Sequence, residues 1–448
     1  MADPNPGPHT PGMSHSALPR RAFLRQTLTA AIAFPMVSRL RVLGANNRLN
    51  IASIGVGGKG WTDINKVAGE NIVGICDVDS GRLGQAAAKF TSARKSADWR
   101  SLYDSLGSGF DAVTVSTPDH MHFPPAMAAI RLGKHVYCQK PLTHTVWEAR
   151  QLTEAARKAK VATQMGNQGM GHGPLRREAE LVRAGALGTV REAHIWTDRP
   201  GNFWKQGLQR PAPGGNPPPS LSWDLWLGVA PQRPYAPGYH PFAWRGFWDF
   251  GTGALGDMGC HLFNILALAF EIRDPLSVEA ESEGNTVESA PLWSKVTYQF
   301  PKKGRQPAIK VVWHDGGRKP DAGLFGGANL GGNGVILIGS KDTLLTSYEG
   351  GGKLLSGAPM DAIKAKQIFA RHADWEQGHY DEWIAACKGG PKAPSNFEIA
   401  GPVTEAVLLG NVAIRSGRKL QWNAGKLTTG DAVADALLSK GYPAGWRI

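Results

Sequence analysis

The stretch from Asn50 to Asp79 restricts this chain more than any other. It reads NIASIGVGGKG, then a segment of mixed character, then IVGICDVD. The first part is a short apolar strand that runs into Gly55, Gly57 and Gly60 in G-x-G-x-x-G spacing. The last part is a second apolar strand that ends at Asp77. Each glycine has a mechanical task in a dinucleotide site. Gly55 permits the tight turn out of the strand, Gly57 lets the main chain approach a pyrophosphate, and Gly60 lets the next helix pack close to the sheet. Gly58 and Lys59 complete the loop, and the helix that starts there aims its free N–H groups at the phosphates. Asp77 stands 22 residues beyond Gly55, about the offset at which a carboxylate meets the adenosine ribose. In a chain with 56 glycines the spacing alone would signify little; the flanking strands and the acid make it specific.

The 448 residues suit two domains. Up to about residue 168, strands and helices alternate, the sign of a doubly wound parallel sheet. Helices fit 61–69, 81–95, 99–106, the segment FPPAMAAIRLGK and 144–159, and strands fit 110–116, 135–138 and 161–165. The pattern then changes. After a helix at 173–185, the segments 190–196, 276–283, 293–300, 307–313, 334–339 and 343–346 alternate like half-buried antiparallel strands. Residues 316–334 read as a mobile glycine-rich loop, and helices return at 376–388 and 399–416. The expected fold class is therefore α/β: a leader over 1–45, a dinucleotide-binding domain over 46–168, an α+β substrate domain over 169–420 and a tail over 421–448.

The leader stands apart from the fold. Residues 1–19 are rich in Pro, Gly and His and read as disordered. Arg20-Arg21-Ala22-Phe23-Leu24-Arg25 and the weakly apolar TLTAAIAFPMV then resemble a twin-arginine export signal, cut near Ala45. The alternative is a basic leader without export. The twin-arginine machinery would be a partner and the periplasm the address. That route carries folded proteins, so it predicts a cofactor loaded inside the cell and held tightly outside it. No apolar run approaches 18 residues, and stable membrane insertion is not expected. The formal charge is +13, but six arginines against one aspartate precede Leu49, and no cluster of lysines and arginines tracks a groove. Nucleic acid is not an expected partner. Cys76, Cys138, Cys260 and Cys387 match no zinc spacing, so no metal is expected; an oxidising compartment would permit a disulfide, but Cys76 and Cys138 sit at buried strand ends and read as free thiols.

Two further features carry chemistry. Lys140 follows Cys138-Gln139 at the end of a parallel strand and precedes Pro141, where ligands of such sheets bind. Its ammonium can hold a substrate hydroxyl and lower that hydroxyl's pKa. In Gly256-Asp257-Met258-Gly259-Cys260-His261, a helix would place Asp257 and His261 at i and i+4 on one face. The carboxylate can orient the imidazole, which is suited to take a proton from an alcohol as hydride leaves. A helix cap at Asp257 with a core histidine at 261 is the plainer alternative. The loop Ser116-Thr117-Pro118-Asp119-His120-Met121-His122 closes another strand at the same sheet edge; of His120 and His122, one is expected to contact ligand and one to be structural. Six of the 15 tryptophans fall between Trp196 and Trp248. Indole faces stack on the C–H faces of sugar rings. Trp223, Tyr239, His240, Trp244 and Arg245 are thus candidates for a carbohydrate pocket, with core filling as the alternative.

The glycine fingerprint, the STPDHMH loop, the QKP turn and the D-x-x-x-H helix resemble, in that order, the Gfo/Idh/MocA oxidoreductases over roughly residues 48–420. The resemblance implies a Rossmann domain joined to an open, mostly antiparallel sheet domain, and hydride transfer between a sugar or polyol carbon and NAD or NADP. It implies catalytic roles for Lys140, Asp257 and His261. The family's usual Glu-Lys-Pro is Gln139-Lys140-Pro141 here, which puts carboxylate support for the lysine in doubt. Asp77 favours NAD over NADP, because a 2′-phosphate would meet like charge. Family members commonly associate through the open sheet, so a homodimer or homotetramer is expected. The expected function is NAD-dependent oxidation of a sugar, polyol or glycoside. One alternative is glycoside hydrolysis through transient oxidation, elimination and re-reduction; another is a non-catalytic dinucleotide- or sugar-binding protein.

Overall fold

Short runs of β-branched and aliphatic residues with no polar alternation must be covered on both faces, and here they are. A computed structural model describes residues 48–446 except 305, 328 and 329. The twin-arginine motif and the rest of the expected leader lie outside the described residues. In the first lobe, β1 (Asn50–Ile54), β2 (Asn71–Cys76), β3 (Arg94–Ser96), β4 (Ala112–Val115), β5 (His135–Gln139) and β6 (Thr163–Gly166) form a parallel sheet in the order β3-β2-β1-β4-β5-β6. The crossovers are α1 (Lys59–Lys66), α2 (Ser80–Lys89), α3 (Trp99–Leu106), α4 (Phe123–Arg131) and α5 (Val146–Ala159). The chain reverses direction across the sheet between β1 and β4, which opens a crevice at their carboxyl ends. The helix expected over 81–95 stops at Lys89, because residues 94–96 are drawn into the sheet edge as β3.

After α6 (Gly173–Arg183), β7 (Val190–Thr197) enters a second sheet. A long irregular segment follows, holding the short α7 (Trp223–Leu227), and leads into α8 (Gly253–Leu262) and α9 (Asn264–Phe270). The sheet is completed by β8 (Ser277–Glu283), β9 (Trp293–Phe300), β10 (Ile309–His314), β11 (Asn333–Gly339), β12 (Thr343–Thr346), β13 (Lys353–Leu354) and, near the end, β14 (Leu420–Gln421). Its order is β13-β12-β11-β7-β10-β9-β8-β14, antiparallel throughout except for the β7–β10 pair. Strand β9 alternates half-buried and buried residues along its whole length, as its sequence requires. Residues 316–334, expected as a mobile loop, instead lay Phe325 and Leu330 against Trp196 and Ile336 of the sheet.

Helices α10 (Trp375–Cys387) and α11 (Phe397–Ser416) tie the lobes together. Helix α11 has the length and hydropathy of a membrane span, yet most of it is buried, packed on α5, α8 and β8. Its Glu405 receives a two-pronged hydrogen bond from Arg150 of α5, at 2.9 and 2.7 Å. One apolar core runs from Ile54 and Val113 through Val403 and Val407 to Tyr298 and Leu337. Residues expected as a tail also fold: α12 (Ala432–Asp435) forms, and Ala434 and Leu438 reach that core. All four cysteines are free.

Candidate active site

The crevice between β1 and β4 opens into a cleft of about 520 Å³ whose wall includes the glycine loop, the ends of β2 and β4, Lys140, Asp257 and His261. The loop has the shape its glycines require. Gly55 holds φ +78°, and a Cβ there would press on the Ser116 carbonyl; a Cβ on Gly60 would overlap the Gly55 carbonyl oxygen. Helix α1 has Gly58 as its N-cap, with no side-chain cap and no acid in its first turn; the Gly60 and Trp61 N–H groups close tight turns on the Gly57 and Gly58 carbonyls, which leaves the Gly58 and Lys59 N–H groups at the helix start for an anion. The hydroxyl of Thr117 and the Nδ1 of His261 are buried without a partner within the protein. Such atoms lack the partner that buried polar groups ordinarily have. The cradle and the orphaned atoms together fit a bound dinucleotide.

Asp77 lies in the cleft wall, but its carboxylate turns inward and accepts from the main-chain N–H groups of Val56 (3.0 Å), Gly57 (3.1 Å) and Asp79 (2.9 Å). Burial raises its pKa against these hydrogen bonds. It braces the glycine loop from the cleft wall. Gln139, which stands in place of a glutamate, turns to α1. Its amide donates to the fully buried Asp63 of α1 at 2.8 Å, and the Ser116 hydroxyl and Tyr380 hydroxyl donate to the same carboxylate, each at 2.6 Å. A carboxylate therefore stands behind the turn, supplied by α1 rather than by β5. Lys59, at the mouth, pairs with Glu376 at 3.2 Å.

At the other end, Lys140 Nζ donates to Asp257 Oδ1 at 2.7 Å and to the Asp257 carbonyl at 3.0 Å, and Arg245 Nε lies 3.4 Å from the same carboxylate oxygen. Burial pushes the Asp257 carboxyl up, but the two cations outweigh it and hold it down at about 2. Helix α8 can present this pair because its backbone is anchored elsewhere. Asn411 donates to the Thr252 carbonyl at 2.9 Å, and the Ala254 N–H donates to Gln206 at 2.9 Å. Gly259 admits Val407 of α11 against the helix. Burial, reinforced by the Lys140 charge, holds His261 at about 3, so the imidazole is neutral in ordinary buffers.

The aromatic candidates divide. His240, Trp244 and Arg245 line the cleft, with Arg245 stacked between Trp244 (4.3 Å) and Phe242 (4.1 Å). Trp223 and Tyr239 do not; they are buried behind the wall in a cluster with Leu227 and Phe250. Of the stacked pair Trp223 and Trp226, 4.8 Å apart, Trp226 is the one that reaches the cleft. His120 is fully buried, with its ring nitrogens 3.2 Å from the Phe250 carbonyl and 3.0 Å from that of Trp226. His122 lines the cleft, yet its ring nitrogens face the carbonyls of Pro141 (2.7 Å) and Thr117 (2.9 Å). Both rings thus join loops, and a neutral ring can donate to only one of its two carbonyls.

Among the cleft residues that the sequence reading does not assign is an acid. Asp119 lines the cleft, buried, with the Thr252 hydroxyl donating to it at 2.7 Å. Burial raises it to about 6, opposed by that hydrogen bond and by the Lys140 and Arg245 charges. The available signal was an acid in a loop at the carboxyl end of a parallel strand.

Comparison with known proteins agrees with this architecture. An oxidoreductase family model with an NAD-binding Rossmann fold (GFO_IDH_MocA) matches residues 49–167, and the C-terminal alpha/beta domain model of that family (GFO_IDH_MocA_C2) matches 176–329. Levoglucosan dehydrogenase of Pseudarthrobacter phenanthrenivorans is 24% identical over 43% of this chain and 40% of its own length. Inositol 2-dehydrogenase 2 of Saccharopolyspora erythraea is 36% identical over 24% of this chain and 32% of its own. The chain thus spans less than half the length of these curated relatives. In fold it is similar to the WlbA dehydrogenase of Bordetella pertussis, solved with NADH and UDP-GlcNAcA (TM-score 0.59, 17% identity, 84% of this chain and 99% of that one). It is similar also to the aldose–aldose oxidoreductase of Caulobacter crescentus, solved with glycerol (TM-score 0.57, 18% identity, 84% and 100%).

Proposed function

The chain belongs to the Gfo/Idh/MocA family of NAD-binding oxidoreductases, and from that premise we propose that it oxidises a secondary alcohol of a sugar, polyol or glycoside, with tightly held NAD as hydride acceptor. One observation carries the reading: an amine, a carboxylate and a neutral imidazole line the same cleft as a glycine cradle shaped for pyrophosphate. NAD, when bound, supplies a carbon that accepts hydride. The rest falls to the chain's own residues.

The loop from Gly55 to Gly60 and the start of α1 hold the phosphates. Asp77, on the ribose side, disfavours a 2′-phosphate. Lys140 polarises the substrate oxygen with its ammonium, and Asp257 keeps that ammonium in place. His261 accepts the hydroxyl proton on its imidazole; the Asp257 charge favours the resulting cation, and the Lys140 charge opposes it. Trp226 and Trp244 offer indoles, and His240 an imidazole, to the apolar side of a sugar ring. The twin-arginine motif supports an exported enzyme that keeps its cofactor.

Asp119 favours a second reading in the same cleft. A group near 6 remains partly protonated at neutral pH and can protonate a departing aglycone. Oxidation at C3 would acidify the C2 proton; elimination, addition of water and return of the hydride would then complete glycoside hydrolysis with no net redox change. The test is a panel of free sugars, polyols and p-nitrophenyl glycosides, after the nucleotide released by denaturation has been identified. NAD in the released fraction and acceptor-dependent oxidation of a sugar support the first reading. Aglycone release that is indifferent to added acceptor supports the second. A protein that releases no nucleotide and binds none refutes both.

A further inference from the structure

The cleft has two ends, and the strand order tells them apart. Lys140 follows β5 on one side of the switch point, while Asp77 follows β2 and Ala97-Asp98-Trp99 follow β3 on the other. The second end is therefore the nucleoside end. Its wall contains Arg82, Asp98 and Trp99, and one residue from the far end of the sequence, Trp446.

Trp446 is held there by a chain of specific contacts. Arg100 lies over its ring at 4.0 Å and donates to the Gly445 carbonyl at 3.0 Å. Asp98 fixes that guanidinium through Nε (3.0 Å) and Nη2 (2.6 Å). The segment leading to Trp446 is tied to the start of α5. The Trp147 N–H donates to the Leu438 carbonyl at 2.9 Å, Lys440 Nζ sits 3.2 Å from Glu148 Oε1, and the Tyr442 hydroxyl donates to that oxygen at 2.5 Å. Glu148 also accepts the main-chain N–H groups of His144 and Thr145 with its other oxygen, so one buried carboxylate caps α5 and anchors the C-terminal segment. Nearby, the indole N–H of Trp99, a buried wall residue, has no partner within the protein.

An indole propped from one side by a guanidinium, beside an unsatisfied donor, at the nucleoside end of a dinucleotide cleft, is suited to a flat base. We propose that Trp446 is an adenine-binding residue and that the Glu148-anchored segment 438–446 closes the nucleoside end over the bound cofactor. This rests on the dinucleotide reading above and explains how such a cofactor is retained. The indole stacks on the purine; Arg100, which lies outside the cleft wall, sets its position, and Asp98 holds the guanidinium.

The test is equilibrium dialysis of AMP and of nicotinamide mononucleotide against the stripped full-length protein, with NADH release followed by its fluorescence. Trp446→Ala is expected to weaken AMP about tenfold or more, to speed NADH release by a similar factor, and to leave the mononucleotide within about twofold. Trp446→Phe, which keeps an aromatic face, is expected to stay within about threefold of the parent for AMP. Arg100→Ala should give an intermediate loss. Unchanged AMP affinity in Trp446→Ala overturns the proposal, as does equal loss of both mononucleotides. A parent protein that binds neither AMP nor NADH overturns the dinucleotide reading itself.

Discussion

Replacing Asp119 by asparagine should make this protein less sensitive to rising pH. The carboxyl is buried, and burial lifts its pKa from 3.8 to about 6. A folded state with the higher pKa binds the proton more tightly than the unfolded chain does. The stabilising contribution is thus complete below pH ~4, the unfolded value, and is lost as pH rises through ~6. A shift of roughly two units at ~1.4 kcal/mol each amounts to about 3 kcal/mol. Asparagine cannot ionise and can still accept the Thr252 hydroxyl. Urea unfolding of both proteins from pH 4.5 to 8 measures the effect. The variant should gain on the parent by about 2 kcal/mol across that range, the first ~1 kcal/mol having already gone by pH 4.5, and its turnover should lose whatever limb has its midpoint near pH 6. Parallel stability curves would refute the assignment, because they would mean that this carboxyl titrates alike in the folded and unfolded chain.

Four other substitutions test the remaining parts. Lys140→Ala leaves Asp257 with Arg245 alone; turnover should fall on the order of 10³-fold while bound nucleotide, measured after denaturation, is kept. His261→Asn should lower turnover by about 10²–10⁴-fold; the parent's rate should show no acid limb from this imidazole until pH falls toward 3, since His261 is neutral above that, and a stopped-flow pH profile checks it. Gly60→Ala should abolish nucleotide retention, since its Cβ meets main chain, whereas Gly57→Ala meets only the movable Arg82 side chain and should retain more; absorbance of the purified proteins at 260 and 280 nm distinguishes them.

Much of the fold was legible because its signals are local. The apolar run before Gly55 and the alternation of 293–300 each specify a strand and its buried face, and Asp257 and His261 could be placed on one helix from spacing alone. What was illegible depends on partners far away in sequence. Nothing in residues 94–96 announces that β2 will capture them, and nothing near Trp446 announces Arg100. Trp223 and Trp226 share composition and neighbourhood; only the packing of Phe250 and Tyr239 behind them decides that the second faces the cleft. Asp119 stood in view within the STPDHMH loop, but its burial, the source of its chemistry, is a tertiary property.

The carboxylate of Asp63 gathers hydroxyls from Ser116 and Tyr380 and the amide of Gln139, three points separated by up to 264 positions in the chain. The nucleotide half is therefore not a portable module. A chimera that grafts residues 48–168 onto a foreign substrate lobe would strand this acid without its phenol unless α10 travels too, and attempts to re-engineer coenzyme preference by exchanging that half should begin by transplanting Tyr380 along with it.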